Sequence, residues 1–324
     1  MGTIKYSQAI RDGFEYLLEN YEDICVMGQG LWSPWYVGSS MNDLEHQFGK
    51  ERVLDTPVSE NSTTGMGLGA ALTGLKTIVV HPRMDFMVLA TDQIVNQAAK
   101  WQSMLGGEIK IPLTIRGIIN RGGEQGAQHS QALHAWYAHV PGLRVVMPAT
   151  ANDARDLLIS SVLCNDPVIY IDDRWCYDHE ENFKPIEEKQ LSYMGPQFLK
   201  KGKDITIVSA SYASLLALQA SEKLLKNNID AEVIDLRILN PLNIEPIIES
   251  VKRTGILLVV DSGWTHFGLS GEIIASVAEK VSFSKDLPQR ITVKNTPAPT
   301  SKVLEKEYYI DADEIVEKAI SMVG

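Results

Sequence analysis

The sequence predicts an α/β protein with parallel-rich sheets, arranged in two domains. Amphipathic helical patterns alternate with short runs of β-branched residues almost throughout, which is typical of parallel strands joined by helices. The alternation stops once, over residues 172–203, where the sequence is charged and aperiodic. A chain of 324 residues is long enough for two cores. We therefore expect domains at 1–190 and 204–324, joined by a linker at 191–203.

Helices and strands alternate in the first predicted domain. Ser7 is a suitable N-cap for a first helix with an apolar face of Ile10, Phe14, Leu17 and Leu18. Strands are expected at 24–27, 53–54, 77–80, 112–116, 143–147 and 167–171. Helices are expected at 64–75, 86–104, 131–138 and 152–163, the last with an Asx-type cap.

The second predicted domain repeats the alternation. Strands are expected at 205–209, 231–235, 256–260 and 291–293. Helices are expected at 213–225, 244–253, 269–281 and 312–322. Together the predicted elements give two α/β domains.

The charge and hydropathy of the chain exclude several classes of partner. Asp and Glu number 41 against 30 Lys and Arg, which gives a net charge of −11. Nucleic acids and anionic membranes are bound through positive surfaces, so neither is expected as a partner. Apolar runs such as 256–260 are too short to span a bilayer, and the first residues have no apolar signal region. We therefore expect a cytoplasmic protein.

Three loops in the first predicted domain carry polar side chains directly after strands. They comprise residues 57–61, 81–86 and the glycine-rich 117–129. Ligands in open parallel sheets bind at the carboxyl ends of strands, so the three loops can converge on one pocket. Glu60 lies in the first loop, where a carboxylate can also simply stabilise a helix N-terminus. From residue type alone, capping is the favoured role of Glu60.

The run from Gly65 to Ala70 satisfies the loose GxGxxA pattern of dinucleotide-binding proteins. Such a loop should begin directly at the end of a strand, whereas residues 58–64 intervene here. The following strand also lacks an acidic residue at its end. We therefore favour a helix whose small residues pack closely on a sheet over a nicotinamide-dependent oxidoreductase.

Three histidines recur at five-residue intervals, at His129, His134 and His139. On a helix that step rotates each side chain by about 140° from the last, so the three cannot share one face as metal ligands. No metal site is predicted, and packing or surface roles suit His134 and His139. His129 stands apart because it ends a loop at a strand-to-helix junction, and His266 occupies a similar junction in the second domain.

Ten short motifs are spread over nearly the whole chain. They include Asp-Thr-Pro-Val-Ser-Glu at 55–60 and Gln-His-Ser-Gln at 128–131. The others stand at 69–75, 85–86, 92–100, 141–146, 166–168, 235–237, 263–264 and 304–305. In this order they resemble the β subunit of thiamine-diphosphate-dependent 2-oxo acid dehydrogenases, which belong to the wider transketolase-like group.

The resemblance implies roles for three residues of this chain. Glu60 corresponds to the carboxyl that hydrogen-bonds the pyrimidine ring of thiamine diphosphate. Phe86 corresponds to the aromatic residue that packs against this ring, and His129 to the histidine near the reacting centre. A buried carboxyl can drive the aminopyrimidine toward its imino tautomer, and an imidazole can move protons or stabilise a developing oxyanion.

The resemblance also implies that the chain holds only part of the cofactor site. The family binds the diphosphate and its Mg²⁺ through a Gly-Asp-Gly motif, which this sequence lacks. A separate α subunit is therefore expected to supply that part in an α2β2-like assembly, with self-association of the β chain and a lipoyl acyltransferase as a further partner. The isolated chain is expected to be incomplete as a catalyst.

Several departures from the family surround the predicted pocket. Bulky residues 31–36 follow the first strand, and His81 and Arg83 stand near the end of another strand, where the family has a carboxylate. One hypothesis is that His81, Arg83 or His266 contacts an anionic or sugar-like substrate; the alternative is drift at a subunit interface. The C-terminal half of a split transketolase is the second functional candidate, and a non-catalytic scaffold the third.

Overall fold

The computed structural model describes residues 2–283 and 286–324, which form two compact units. The first unit comprises residues 2–120, 136–194 and 239–241, and the second comprises 121–135, 195–238 and 242–324. Both units are α/β with parallel-rich sheets, so the predicted fold class is confirmed. The division of the sequence into 1–190, 191–203 and 204–324 stays a prediction.

The first unit is built on a parallel sheet. Its strands and helices are β1 (Thr3–Lys5), α1 (Tyr6–Asn20), β2 (Ile24–Gly28), α2 (Leu44–Phe48), β3 (Val53–Asp55), α3 (Glu60–Leu72), β4 (Lys76–His81), α4 (Ala99–Met104), β5 (Leu113–Ile119), α5 (His134–Ala138), of which Trp136–Ala138 lie in this unit, β6 (Arg144–Val146), α6 (Ala151–Val162), β7 (Val168–Asp173) and β8 (Glu180–Asn182). Strand order is β6-β7-β5-β4-β2-β3, with every neighbouring pair parallel.

The carboxyl edge of this sheet is even where three strands end. Gly28 of β2 pairs in register with Asp55 of β3 on one side and with Val80 of β4 on the other. His81, the next residue of β4, pairs with Gly117 of β5. The loops that follow β2, β3 and β4 therefore leave the sheet at one level, which is where a parallel sheet presents ligand-binding residues.

The second unit contains a five-stranded sheet. Its elements are β9 (Gln197–Lys200), β10 (Ile205–Ser209), α7 (Tyr212–Lys226), β11 (Ala231–Asp235), α8 (Glu245–Thr254), β13 (Leu257–Trp264), α9 (Leu269–Ala278), β14 (Gln289–Val293), α10 (Lys302–Tyr308) and α11 (Ala312–Val323). A short β12 (Ile238–Asn240) extends the seven-stranded sheet at its β6 edge. Strand order is β14-β13-β10-β11-β9, parallel except for β9.

Several predicted elements are wrong. The helix expected at 86–104 is a 3₁₀ helix (Met84–Ala90), a π-helix (Asp92–Ala98) and then α4, because apolar spacing does not distinguish these windings. Ser7 is not the N-cap of α1; Lys5 is, and the Ser7 hydroxyl donates to the Tyr177 carbonyl oxygen. The cap of α6 is Thr150, whose hydroxyl accepts from the Asp153 N–H.

Residues 172–203 are not without regular structure. They contain β8, which pairs with β1 in a two-stranded antiparallel ribbon, and β9, which pairs with β11. Neither partner is close in sequence, so local periodicity could not reveal these strands. The region also includes two short 3₁₀ helices, Arg174–Cys176 and Leu191–Tyr193.

Helix α3 packs closely on the sheet through Gly67. A Cβ at this position would lie 2.4 Å from Val79 Cγ2, which is closer than two carbons can approach. Gly67 therefore serves close packing, as interpreted from the sequence, whereas a Cβ at Gly69 would meet nothing within 4 Å. Helix α3 begins at Glu60 rather than at residue 64. Among the described residues, every helix is too short or too polar to cross a lipid bilayer.

Candidate active site

Glu60 is the first residue of α3 and lies at the carboxyl edge of the seven-stranded sheet. Glu60 as a whole is 7% exposed to solvent. Within residues 2–283 and 286–324, no group donates a hydrogen bond to its carboxyl oxygens or forms an ion pair with them. The residue as a whole is buried, yet its carboxyl oxygens keep some contact with solvent. A carboxyl that is accessible and engaged by no described residue can accept or donate a hydrogen bond to a ligand, besides stabilising the helix N-terminus.

The turn before Glu60 is held by the end of strand β3. One carboxylate oxygen of Asp55 accepts hydrogen bonds from the N–H groups of Gly30 at 2.6 Å and Leu31 at 3.3 Å. These bonds join the loop after β2 to the loop after β3. The end of β3, from which the backbone leads into α3, is thereby fixed to the loop after β2.

Phe86 lies on the segment that packs against α3. It belongs to the 3₁₀ helix that follows β4, is half-buried, and its N–H donates to the Arg83 carbonyl oxygen at 3.2 Å. This segment and the π-helix after it both contact α3. The structure therefore places the predicted carboxyl and the predicted aromatic residue on two segments that pack against each other at one sheet edge.

His81 is buried and ties β4 to α3. Its residue is 3% exposed, and its Nε2 lies 3.1 Å from the Thr64 hydroxyl, one helical turn after Glu60. Burial lowers the pKa of His81 to about 4, so the ring is neutral at neutral pH. The ring supports the helix that carries Glu60.

Arg83 lies in a cluster with Arg174 and Tyr36, of which the sequence analysis singled out Arg83 alone as a candidate substrate contact. Burial is the main cause that lowers the pKa of Arg83, and the nearby charge of Arg174 lowers it further. Arg174 Nη2 donates to the carbonyl oxygens of Trp35 and Tyr36, each at 2.9 Å. The Tyr36 ring packs on Gly30, where a Cβ would lie 2.0 Å from a ring carbon. Two arginines and a tyrosine therefore share this edge.

Beneath this cluster, a fully buried arginine anchors the loop after β2. Arg116 on β5 donates two 2.9 Å hydrogen bonds to Asp172 on β7, and it also donates to the Ser40 hydroxyl at 2.8 Å. Tyr177 donates to the same carboxylate at 2.5 Å. An arginine inside an otherwise apolar strand was the available sequence signal for this network.

His129 belongs to the second unit, on the loop 121–135. Its side chain is half-buried, and its N–H donates to the Gly126 carbonyl oxygen at 3.3 Å. Gly122, Gly123, Glu124 and Gly126 all have positive φ, so the loop follows a path that favours glycine. The Glu124 N–H donates to Glu305 on α10 at 2.9 Å, which attaches the middle of the loop to its own unit.

His134 and Asp261 form a buried pair in the same unit. Nε2 of His134 lies 2.9 Å from Oδ1 of Asp261. The N–H groups of Gly263 and Ser270 also donate to the Asp261 carboxylate, at 2.8 and 3.1 Å. Burial raises the pKa of Asp261, but the charge and hydrogen bond of His134 and these two N–H groups outweigh it and hold that pKa below its usual range.

His266 is exposed, unlike the other predicted site residues. Its Nδ1 lies 3.1 Å from the amide nitrogen of Asn295, and the next residue, Phe267, is fully exposed at a positive φ of 57°. Among the described residues, no group of three or more His, Cys, Asp or Glu side chains is placed to hold a metal ion.

Comparison with known proteins identifies the family. Residues 2–177 match the family model for the transketolase pyrimidine binding domain, and residues 197–315 match the transketolase C-terminal domain. The pyruvate dehydrogenase E1 component subunit beta of Rickettsia bellii (strain RML369-C) is 37% identical over 308 residues, covering 94% of this chain and 93% of the relative. The chain is an E1 β-subunit family member.

The E1 β family contains other relatives of similar likeness. The mitochondrial subunit beta-1 of the Arabidopsis thaliana pyruvate dehydrogenase E1 component is 40% identical over 300 residues, covering 90% of this chain and 82% of the relative. The beta subunit of Bacillus subtilis (strain 168) acetoin:2,6-dichlorophenolindophenol oxidoreductase is 32% identical over 335 residues, covering 99% and 98%. E1 β subunits of the pyruvate dehydrogenase type depend on thiamine diphosphate and work with an α subunit.

A solved structure supports the E1 β fold assignment. A chain described as a split gene transketolase, inactive beta4 tetramer, superposes with a TM-score of 0.80 at 21% identity, covering all of both chains. At this identity the likeness shows the fold.

The described residues fit one end of thiamine diphosphate. The accessible carboxyl of Glu60, which no described residue engages, suits hydrogen bonding to a pyrimidine ring, and Phe86 on the adjacent segment suits packing on an aromatic face. The sequence contains no Gly-Asp-Gly motif for a diphosphate and its metal ion. Glu60 and Phe86 both lie within residues 2–177, the part of the chain that matches the pyrimidine binding domain.

Proposed function

We propose that this chain is the β subunit of a thiamine-diphosphate-dependent E1 component that decarboxylates a 2-oxo acid and passes the acyl group to a lipoyl acyltransferase. The observation that carries the proposal is Glu60, a largely buried residue at the start of α3 whose accessible carboxyl has no partner among the described residues and which lies on a helix packed against the Phe86 segment. The family match over nearly the whole chain supports it.

The bound cofactor would supply the carbanion chemistry that cleavage beside a carbonyl needs. Glu60 would hold and exchange a proton at a pyrimidine ring nitrogen, while Phe86 packs on one face of that ring. His129 would move a proton at the substrate carbonyl oxygen or stabilise the negative charge that develops there. The half-buried position of His129 on a glycine-rich loop is compatible with such a role.

The assembly and location complete the proposal. We propose an α2β2-like heterotetramer in which β chains also contact each other, and in which the α subunit holds the diphosphate and Mg²⁺. The structural neighbour described as an inactive beta4 tetramer supports both self-association and incompleteness of a lone chain. A net charge of −11 fits a chain that does not itself bind the anionic diphosphate. It also fits a chain that binds neither nucleic acid nor an anionic membrane. Bacterial relatives support a cytoplasmic location.

A specific observation favours a second candidate, a split transketolase-like enzyme for anionic substrates such as ketose phosphates. Arg83, Arg174 and Tyr36 gather at the same sheet edge as Glu60. Paired arginines recognise phosphates and carboxylates through charge-assisted hydrogen bonds. Arg83 would contact the anionic group, with His81 supporting α3 and His266 as a further substrate contact. A non-catalytic scaffold accounts less well for the retained Glu60, Phe86 and His129.

The decisive experiment uses the full chain reconstituted with its co-purifying α subunit. Pyruvate, branched-chain 2-oxo acids and ketose phosphates are compared as substrates, with Glu60→Gln as the test variant. We expect Glu60→Gln to lower kcat at least about 100-fold, the usual effect of removing a general acid–base group. Glu45→Gln is the matched control, because Glu45 is also a buried glutamate on a helix.

Two results would overturn the proposal. Undiminished turnover by Glu60→Gln would remove the cofactor role of this carboxyl, and full activity of the lone chain would remove the need for an α subunit. Arg83→Ala separates the two substrate classes. We expect about a tenfold rise in KM for substrates with an additional anionic group, and an unchanged KM for pyruvate. No response with any substrate would reject the arginine contact.

A further inference from the structure

The loop that carries His129 is fastened to its unit at both ends and in the middle. Arg121 begins the loop and donates to the Ser262 carbonyl oxygen at 3.5 Å. The Glu124 N–H bonds to Glu305, and a Cβ on Gly126 would lie 2.4 Å from Thr300 Cγ2. The loop ends at His134, the side chain that reaches Asp261 on β13.

Among these attachments, the one at His134 is the most deeply buried and has the best geometry. His134 is 1% exposed and Asp261 is 3% exposed, and the 2.9 Å separation is that of a hydrogen bond to a charged acceptor. Among the described residues, Nδ1 of His134 has no hydrogen-bond partner and is fully buried. The hydrogen bond through Nε2 is thus the one polar contact of this ring among the described residues, and it is made to Asp261.

Gly263 makes room for this contact. A Cβ at Gly263 would lie 3.0 Å from Cε1 of His134 and 3.2 Å from the Asp261 oxygen that His134 contacts. The Gly263 N–H meanwhile donates to that same oxygen. Three residues therefore depend on one another: a carboxylate, the imidazole that reaches it, and a glycine without a side chain in the way.

We infer that His134 is the positioning residue for His129, through its hydrogen bond to Asp261. Only four residues separate the two histidines, and upstream of His129 the loop is attached through the exposed Glu124, whose N–H donates to Glu305. A buried bond at His134 therefore limits how far His129 can move. The catalytic meaning of this inference rests on the proposed function, whereas the structural meaning does not.

The first test is hydrogen exchange on the full chain, which needs neither cofactor nor substrate. His134→Ala should raise the exchange rates of amides 121–133 about tenfold or more, with the strands β2, β4 and β5 unchanged. His134→Gln should restore protection, because its amide can donate to Asp261 from a similar reach. His139→Ala is the matched control, since His139 is exposed and near in sequence. Unchanged exchange in His134→Ala would overturn the inference.

The second test uses the reconstituted complex. His134→Ala should lower kcat about tenfold with little change in KM, and His134→Gln should recover most of the loss. Equal losses in His134→Ala and His134→Gln, together with faster exchange throughout the second unit, would show a merely structural role and overturn the inference. Should His129→Ala leave activity unchanged, the catalytic role of His129 fails, while the exchange result still decides whether His134 holds the loop.

Discussion

The guanidinium of Arg116 and the carboxylate of Asp172 meet through two hydrogen bonds of 2.9 Å, and neither side chain is exposed to solvent. They join β5 to the neighbouring β7, and through Ser40 they also hold the loop after β2. A buried charge pair of this kind adds little compared with apolar packing, but losing one member leaves the other charge uncompensated. Loss of either member should therefore also loosen the loop after β2, which Arg116 holds through Ser40.

Asp172→Asn should therefore lower the free energy of unfolding by about 3–5 kcal/mol. Urea denaturation of the full chain measures the effect. Asp166→Asn is the control, because its partner Arg144 is at a partly exposed site, where breaking an ion pair costs about 1 kcal/mol or less. Equal losses from the two variants would contradict the interpretation of the buried pair.

His81 should make the protein less stable in mild acid. Its pKa is about 4 in the folded chain and 6.5 ordinarily, so the unfolded chain binds the extra proton between these values. The contribution of neutral, buried His81 to the free energy of unfolding is fully present above about pH 6.5 and is lost as the pH falls toward 4. Between pH 7 and 5 the loss should be about 2 kcal/mol greater for the wild type than for His81→Gln, measured by urea denaturation. Identical pH dependence of the wild type and His81→Gln would refute the assignment of this loss to His81. His139→Gln is the control.

Two glycines of α3 should respond oppositely to alanine. Gly67→Ala places a Cβ against Val79 and should destabilise the chain by about 1–3 kcal/mol. Gly69→Ala meets nothing within 4 Å and should stabilise the helix by up to about 1 kcal/mol. Thermal denaturation of both variants gives the comparison, and a destabilising Gly69→Ala would show that the exposed face of α3 is not free to accept a methyl group.

Phe86→Ala should weaken the binding of thiamine diphosphate to the reconstituted complex. Loss of an aromatic packing partner should raise the cofactor Kd about tenfold, measured by titration calorimetry. The control is Phe198→Ala, which removes a half-buried phenylalanine from β9 in the other unit. An unchanged Kd in Phe86→Ala would remove this residue from the cofactor site.

Local pattern was sufficient for some elements and insufficient for others. The strands predicted at 205–209 and 231–235 coincide with β10 and β11, because both are short, fully buried runs with adjacent β-branched residues at their centre. The helix predicted at 86–104 failed, since its apolar spacing continues while the winding changes at Thr91. The strand β8 was missed because its partner β1 lies at the start of the chain.

The site shows the same division. Position after strands of a parallel sheet drew attention to Glu60 and His129, but capping was the favoured role of Glu60 from residue type alone, and the cofactor and catalytic roles of both came from the family resemblance and stay predictions. The cluster of Arg83, Arg174 and Tyr36 required strand order, which no local window contains. The role of His134 was equally hidden, because Asp261 is 127 residues away and five-residue spacing only tested for a shared helical face.

Neither compact unit is one continuous stretch of chain, because segment 121–135 belongs with the second unit while its flanking residues belong with the first. A gene fragment ending near residue 194 would encode that segment without Asp261, Ser262 and Glu305, the residues that attach it. Chimeras that exchange halves between related enzymes within residues 191–203 would therefore combine one parent's His129 loop with the other parent's anchoring residues. Successful exchange requires 121–135 to travel with its second-unit partners.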